Sequence, residues 1–182
     1  MKGFLAFGVS AASSAVLTKI FAGLPPAGLR AVDPTDYHVT IKFLSEFSST
    51  DFFASLPEIT ELGNPPVASL RAGDLALWPT VLALECDATD ELRAWHGEVN
   101  RLLERKGFLR ERHPRFLPHV TLARRTPGKR LPELEARLEK AHDALRGQSI
   151  ELEKPALWKT EPDGTGRSHL PFLSPLFRRI GS

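Results

Sequence analysis

Two copies of one tripeptide, His38-Val39-Thr40 and His119-Val120-Thr121, stand 81 positions apart in a chain of 182 residues that has only six histidines. Each copy lies in an alternating stretch. Over residues 38–44, Val39, Ile41 and Phe43 fall on one side and His38, Thr40 and Lys42 on the other. Residues 119–123 repeat the alternation with Val120 and Leu122. Successive strand residues point to opposite faces, so each copy predicts a strand with an imidazole beside a hydroxyl on one face. The apolar residues anchor it from behind. Two such strands meeting across a cleft direct two His-Thr pairs at one small anion.

The rest of the chain reads as interleaved strands and helices. Residues 4–9 form a buried first strand. Ser10 caps a helix with Val16, Leu17, Ile20, Phe21 and Leu24 on one face, ended by Gly23 and Pro25-Pro26. Thr50 and Asp51 open a short helix through Phe52, Phe53, Leu56 and Ile59, which Pro57 kinks or splits. Residues 67–71 and 81–86 are strands. The clearest helix starts between Asp87 and Asp90, repeats Leu92, Trp95, Val99, Leu102 and Leu103, and stops at Gly107. Pro132 opens the last long helix, with Leu134, Leu138, Ala141 and Leu145 on its inner face and Gly147 at its end. Strands at 150–158 and 167–172 flank a Pro162-Asp163-Gly164 turn. No low-complexity linker interrupts the pattern, so one α+β domain over residues 1–182 is expected. Each half holds a strand, a helix and a strand bearing His-Val-Thr, as in a diverged duplication.

Composition narrows the class. The chain is 42% hydrophobic and 25% charged, as an ordinary globular protein is. A single cysteine, Cys86, excludes an intramolecular disulfide framework and fits a reducing compartment, so a cytoplasmic protein is expected. Cys86 itself reads as a small buried hydrophobe. The apolar run at the N-terminus is too short for a signal peptide, and no stretch approaches a membrane span, so no membrane partner is expected. The net charge of +2 hides an asymmetry: residues 101–130 carry ten Lys or Arg against Glu104 and Glu111 alone. A local positive field of that kind suits a polyanion.

The paired motifs have a direct chemical use. Phosphodiester hydrolysis needs a base to activate water and an acid to protonate the leaving oxygen. Histidine, with an unperturbed pKa of about 6.5, serves as either near neutral pH. Threonine hydroxyls donate to non-bridging oxygens, where charge develops. Neither motif has a carboxylate, cysteine or second histidine at metal-ligand spacing, so no metal and no cofactor is expected. Of the other histidines, His96 and His142 lie beside helical apolar stripes and are expected in solvent. His113 falls in a basic loop, and His169 is the candidate for a third site histidine. Trp78 and Trp158 read as core or rim packing, with base stacking as the functional alternative. Lys159 stands near a strand end, where it would reach phosphate.

The stretches His38-Val-Thr-Ile-Lys-Phe-Leu44 and Phe116-Leu-Pro-His119-Val-Thr-Leu-Ala-Arg124 resemble the two motifs of the two-histidine phosphoesterase superfamily. The nearest branch is the RNA 2′,3′-cyclic phosphodiesterases, also called 2′-5′ RNA ligases. The resemblance extends to Phe4-Leu5-Ala6-Phe7, to Leu77-Trp78 and to Leu157-Trp158-Lys159. It implies a bilobed α+β fold with pseudo-twofold symmetry, in which two antiparallel sheets line a central cleft and helices pack outside. It also implies metal-free opening of an RNA 2′,3′-cyclic phosphate to a 2′-phosphate. His38 would be the proton donor, His119 the proton acceptor, and Thr40 and Thr121 the ligands of the phosphate oxygens. Phe43 and Arg124 match positions that touch the nucleoside. ATP-independent joining of RNA ends would be the reverse, transesterifying activity at the same site. The implied partners are RNA or oligonucleotide ends with a cyclic phosphate, tRNA among them, acted on by a monomer. Strict alternation puts Phe43 and Arg124, each five residues after a motif histidine, on the wrong face. They need a bulge or the strand's end to reach the cleft. Where the family often has a tyrosine near the C-terminus, this chain has Arg167-Ser168-His169. The alternative reading is a nucleotide- or RNA-binding module with little turnover.

Overall fold

The first strand, β1 (Gly3–Val9), is buried at all seven positions, so both of its faces are covered. Leu5, Phe7 and Val9 enter the main core, while Phe4 and Ala6 join Ala156 and Trp158 in a small cluster on the opposite face. The computed structural model describes residues 3–23, 28–44, 49–62, 64–108, 115–126, 132–163 and 166–171. After β1 come α1 (Ala11–Phe21), β2 (Leu29–Ala31), β3 (His38–Leu44) and α2 (Ser49–Glu61). They are followed by β4 (Ser69–Leu77), β5 (Val81–Asp87), α3 (Asp90–Arg105) and β6 (His119–Arg125). Last are α4 (Pro132–Leu145), β7 (Ser149–Asp163) and β8 (Gly166–Pro171).

All the strand pairings are antiparallel. One half-sheet is β7-β1-β3 and the other is β4-β5-β6. They join at two places. β3 meets β6 through the pair Val39–Val120, and β7 pairs with β4 over its first residues before continuing along β1. The path β1-β3-β6-β5-β4-β7 therefore returns to β1 within one eight-stranded sheet, with β2 beside β6 and β8 beside β7. The halves repeat each other in register. Gly8, Phe7 and Ala6 face His38, Val39 and Thr40, as Glu85, Leu84 and Ala83 face His119, Val120 and Thr121. Leu157 faces Leu5 just as Leu77 faces Leu82. This is the pseudo-twofold α+β architecture expected.

Helices cover the core face. Thr89 caps α3 by accepting from Leu92 N at 3.2 Å, a bond that stabilises a helix by about 1 kcal/mol. Gly107, at φ 87°, ends the helix as expected. Leu92, Trp95, Val99, Leu102 and Leu103 are buried, each contributing roughly 1.5–3 kcal/mol of burial where fully enclosed. Ser10 caps α1 by accepting from Ser13 N, but the buried face of α1 differs from expectation. Leu17 is buried as expected, but Val16 is 41% exposed, and Ser13 and Ser14 turn inward beside Leu17. The small serine face lets the helix sit against β7, where Ser13 Oγ accepts from Glu151 N at 2.9 Å.

Three further differences concern local structure. α2 runs through Pro57 as one element. β4 continues to Leu77, past the expected end at 71. The short β2 and a 3-10 turn at Pro34–Asp36, capped by Asp33 Oδ1 on Thr35 N at 2.9 Å, carry too few residues to show a period. Leu24, Gly164 and Phe172 lie outside the described residues.

Candidate active site

Val39 and Val120 point into the core, so their neighbours point the other way. In this antiparallel register position 38 lies opposite 121, and position 40 opposite 119. The pairing at Val39–Val120 thus brings each histidine towards the other strand's threonine where the two motif strands meet. His38, Thr40, His119 and Thr121 are all part-exposed, and all four share one face.

Each motif strand then carries a bulge. On β1 the partners step from Thr40 opposite Ala6 to Lys42 opposite Leu5, which leaves Ile41 as the extra residue. On β5 they step from Thr121 opposite Ala83 to Ala123 opposite Leu82, which leaves Leu122 extra. A one-residue bulge reverses the side-chain parity of everything after it. Phe43 now faces Phe4, and Arg124 faces Val81, on the same sheet face as the histidines. Phe43 is 60% exposed, and its ring lies 6.0 Å from that of Phe4. The bulge thus supplies the condition the sequence sets for both residues. It also corrects the expectation for Lys42. The same reversal buries Lys42 on the core face, where Nζ lies 3.5 Å from Glu104 Oε1 of α3.

The two imidazoles are held alike. His38 Nδ1 donates to Asp36 O at 2.7 Å, and His119 Nδ1 donates to Leu117 O at 2.9 Å. A carbonyl two residues upstream therefore fixes each tautomer and leaves Nε2 as the nitrogen that gains and loses the proton. Each ring also rests on a tryptophan. Trp158 lies 5.2 Å from His38, whose other aromatic neighbour, Phe4, stacks at 4.6 Å. Trp78 lies 4.5 Å from His119 and donates through Nε1 to Glu85 Oε1 at 3.1 Å. Glu85 is the strand partner of His119, so carboxylate, indole and imidazole form one group. Trp158 is packing, as expected, and Trp78 sits at the rim. The dipeptides Leu77-Trp78 and Leu157-Trp158 are the sequence signal that links them.

His96 and His142 are not in solvent, contrary to expectation. Burial holds His96 at a pKa of about 4, against the opposing hydrogen bond to Ile41 O at 2.9 Å. His142 Nδ1 accepts from Leu75 N at 3.2 Å, with Asp74 near its other nitrogen. Helix periodicity places both beside the apolar stripe, and here the stripe is wide enough to include them. Burial pushes the Cys86 thiol up to about 12, aided by Asp87 and Glu85, as suits a small buried hydrophobe. His113 and the side chains of Lys159 and His169 lie outside the described residues. In the basic stretch, Arg101 pairs with Glu98, Lys106 with Glu58, and Arg125 donates to the carbonyls of Trp78 and Pro79. Part of that charge is therefore engaged within the fold.

Residues 38–164 match the family model described as the 2′-5′ RNA ligase superfamily. The chain belongs to this superfamily. It is 29% identical over 151 residues to the RNA 2′,3′-cyclic phosphodiesterase of Aeropyrum pernix, an alignment covering 74% of this chain and 81% of the relative. The crystal structure of TT0787 of Thermus thermophilus superposes with a TM-score of 0.68 at 27% identity, over 95% of this chain and 96% of that one. That of E. coli LigT complexed with 3′-AMP superposes with a TM-score of 0.71 at 19% identity, over 94% and 95%, and shares the fold. The matched range begins at His38 and spans both motifs. Among the described residues no helix is long and apolar enough to cross a membrane.

Proposed function

We propose that this chain opens 2′,3′-cyclic phosphates at RNA or nucleotide ends to 2′-phosphates, without a metal, by acid–base catalysis between His38 and His119. One observation carries the reading. Two part-exposed imidazoles, each fixed through Nδ1 by a backbone carbonyl and each beside a threonine, share one face at the seam of a two-fold repeat. The name of the Aeropyrum pernix relative supports a cyclic phosphate, and the 3′-AMP held by E. coli LigT supports a nucleotide ligand.

In this mechanism neutral His119 takes a proton from water through Nε2. The oxygen attacks phosphorus, the P–O3′ bond breaks, and protonated His38 gives its proton to O3′. The products are a 2′-phosphate and a 3′-hydroxyl, and solvent resets both rings. Thr40 and Thr121 donate to the non-bridging oxygens as charge builds on them. A 5′-hydroxyl in place of water would give a 2′-5′ link by the same step. The lone buried Cys86 fits action in a reducing compartment, the cytoplasm.

The test is to incubate the protein, in EDTA, with each 2′,3′-cyclic mononucleotide and with an oligonucleotide ending in a cyclic phosphate. Each substrate should open to the 2′-phosphate. H38A and H119A should each lose about 10²–10⁴-fold in kcat while still binding nucleotide. Binding of cyclic nucleotides without turnover would favour the binding-module reading, and loss of activity in EDTA would exclude the metal-free one.

A further inference from the structure

A cavity of about 410 Å³ opens between the first turns of α1, the 3-10 turn, the end of β1 and the middle of β7. Val9, Ser14, Thr35, Tyr37, Glu153 and Trp158 are among its walls. Trp158 links it to the candidate site, because its ring lies 5.2 Å from that of His38. Gly8, the strand partner of His38, also lines it. A Cβ at Gly8 would stand 2.9 Å from Glu153 Oε2, so the missing side chain is what lets the carboxylate lie against this strand. Trp158 is 2% exposed, and its Nε1 has no hydrogen-bond acceptor among the described residues. On the related half of the fold, Trp78 Nε1 is satisfied by Glu85, which occupies the position of Gly8.

We propose that this cavity receives the base of the nucleotide that carries the cyclic phosphate, and that it prefers guanine. The inference rests on the hydrolase reading above, in which O3′ departs on the His38 side and the terminal nucleoside lies there too. The walls select the ligand. The exposed Glu153 carboxylate repels a second phosphate, and a wholly apolar ligand would leave the buried indole N–H unserved. A nucleobase offers a flat apolar body with a polar edge. Guanine places two donors, N1–H and N2–H, side by side for one carboxylate, with the acceptor O6 next to them. Adenine and cytosine put a ring-nitrogen lone pair beside the amino group, and uracil flanks its N–H with two carbonyls. Each of these sets a lone pair against Glu153. A polar site rejects a mismatched edge because its groups are left unpaired.

The experiment compares kcat/KM for the four 2′,3′-cyclic mononucleotides and for a base-free methyl riboside 2,3-cyclic phosphate. In parallel, tryptophan fluorescence reads binding of the four nucleoside 2′-monophosphates. Guanosine should lead by about tenfold or more, through KM, and its 2′-monophosphate should bind tightest by a similar factor. E153Q should collapse the guanosine-to-adenosine ratio in both measurements, with the melting temperature confirming the fold. Equal values across the four bases, or a guanosine preference untouched by E153Q, would overturn the pocket assignment. If no cyclic phosphate opens, the base-free one included, the hydrolase reading fails, and the 2′-monophosphate binding series alone decides the pocket.

Discussion

His96 Nε2 donates to the carbonyl of Ile41 at 2.9 Å, and the same ring lies flat on Phe116 at 3.9 Å. Ile41 is the bulged residue of the first motif. Phe116 precedes Leu117, whose carbonyl holds His119. One buried ring on α3 therefore supports both motifs from behind. Asn100 Nδ2 reaches His96 Nδ1 at 3.2 Å, and Arg93 Nη1 donates to Phe116 O at 3.0 Å, so the ring and its neighbour are both braced.

H96L should cost about 1–3 kcal/mol of stability, because the Ile41 carbonyl loses its buried donor. It should also lower kcat more than it raises KM, since the bulge sets the motif's geometry. H96Q keeps a side-chain N–H and should recover part of both losses. Urea unfolding and steady-state kinetics on the three proteins check this. A full kcat in H96L would sink the idea that this ring positions the motif.

The same residue predicts an acid sensitivity. Burial lowers the folded pKa of His96 to about 4, while the unfolded chain titrates near 6.5. Between those values the unfolded state binds a proton that the folded state refuses, so stability falls as pH falls. The full loss is about 3 kcal/mol once the pH is below 4. Urea midpoints measured from pH 7 to pH 4 should decline through this window, and H96L should lack that part of the decline. Equal slopes for the two proteins would place the acid sensitivity elsewhere.

Lys42 is 1% exposed and faces Glu104, which is one-third exposed. A buried ion pair offsets only part of its desolvation, and losing one partner leaves an uncompensated charge. K42M should therefore be neutral or stabilising. E104A should destabilise by roughly 2–4 kcal/mol, somewhat below the fully buried case because water reaches Glu104. Thermal melts of both variants decide it. A K42M protein less stable than E104A would contradict this account.

The strands and their site face were legible because His38-Val39-Thr40 and its copy carry period-2 alternation over short, apolar-backed runs. The histidine–threonine pairs follow from that period alone. The bulges do not. Ile41-Lys42 and Leu122-Ala123 read equally well as regular strand, and the extra residue is set by the partner strands β1 and β5. That is why alternation placed Lys42 with the histidines and Phe43 behind them. The burial of His96 escapes the sequence pattern for a related reason. Its helical position is marginal, and burial depends on Phe116 and Ile41, which are distant in sequence. The aromatic neighbours of His38 come from β1 and β7, whose pairing needs the whole chain.

Phe43 tests the consequence of the first bulge. Its ring is 60% exposed on the site face, so F43A removes little packing and should change stability by no more than about 0.5 kcal/mol. A face that stacks a second nucleoside of an RNA end would lose base stacking, worth about 1–3 kcal/mol per base, and KM for the cyclic-phosphate-ended oligonucleotide should rise roughly tenfold with kcat nearly unchanged. F43W, with a larger face, should restore binding. R124A removes the related side chain after the second bulge. It should also raise KM, but with an effect that shrinks as salt increases, because its contribution is a charge rather than a surface. Kinetics with the cyclic-phosphate-ended oligonucleotide at two ionic strengths separate the two cases. If neither variant changes KM, the parity reversal brings these side chains to the cleft face without bringing them to the substrate.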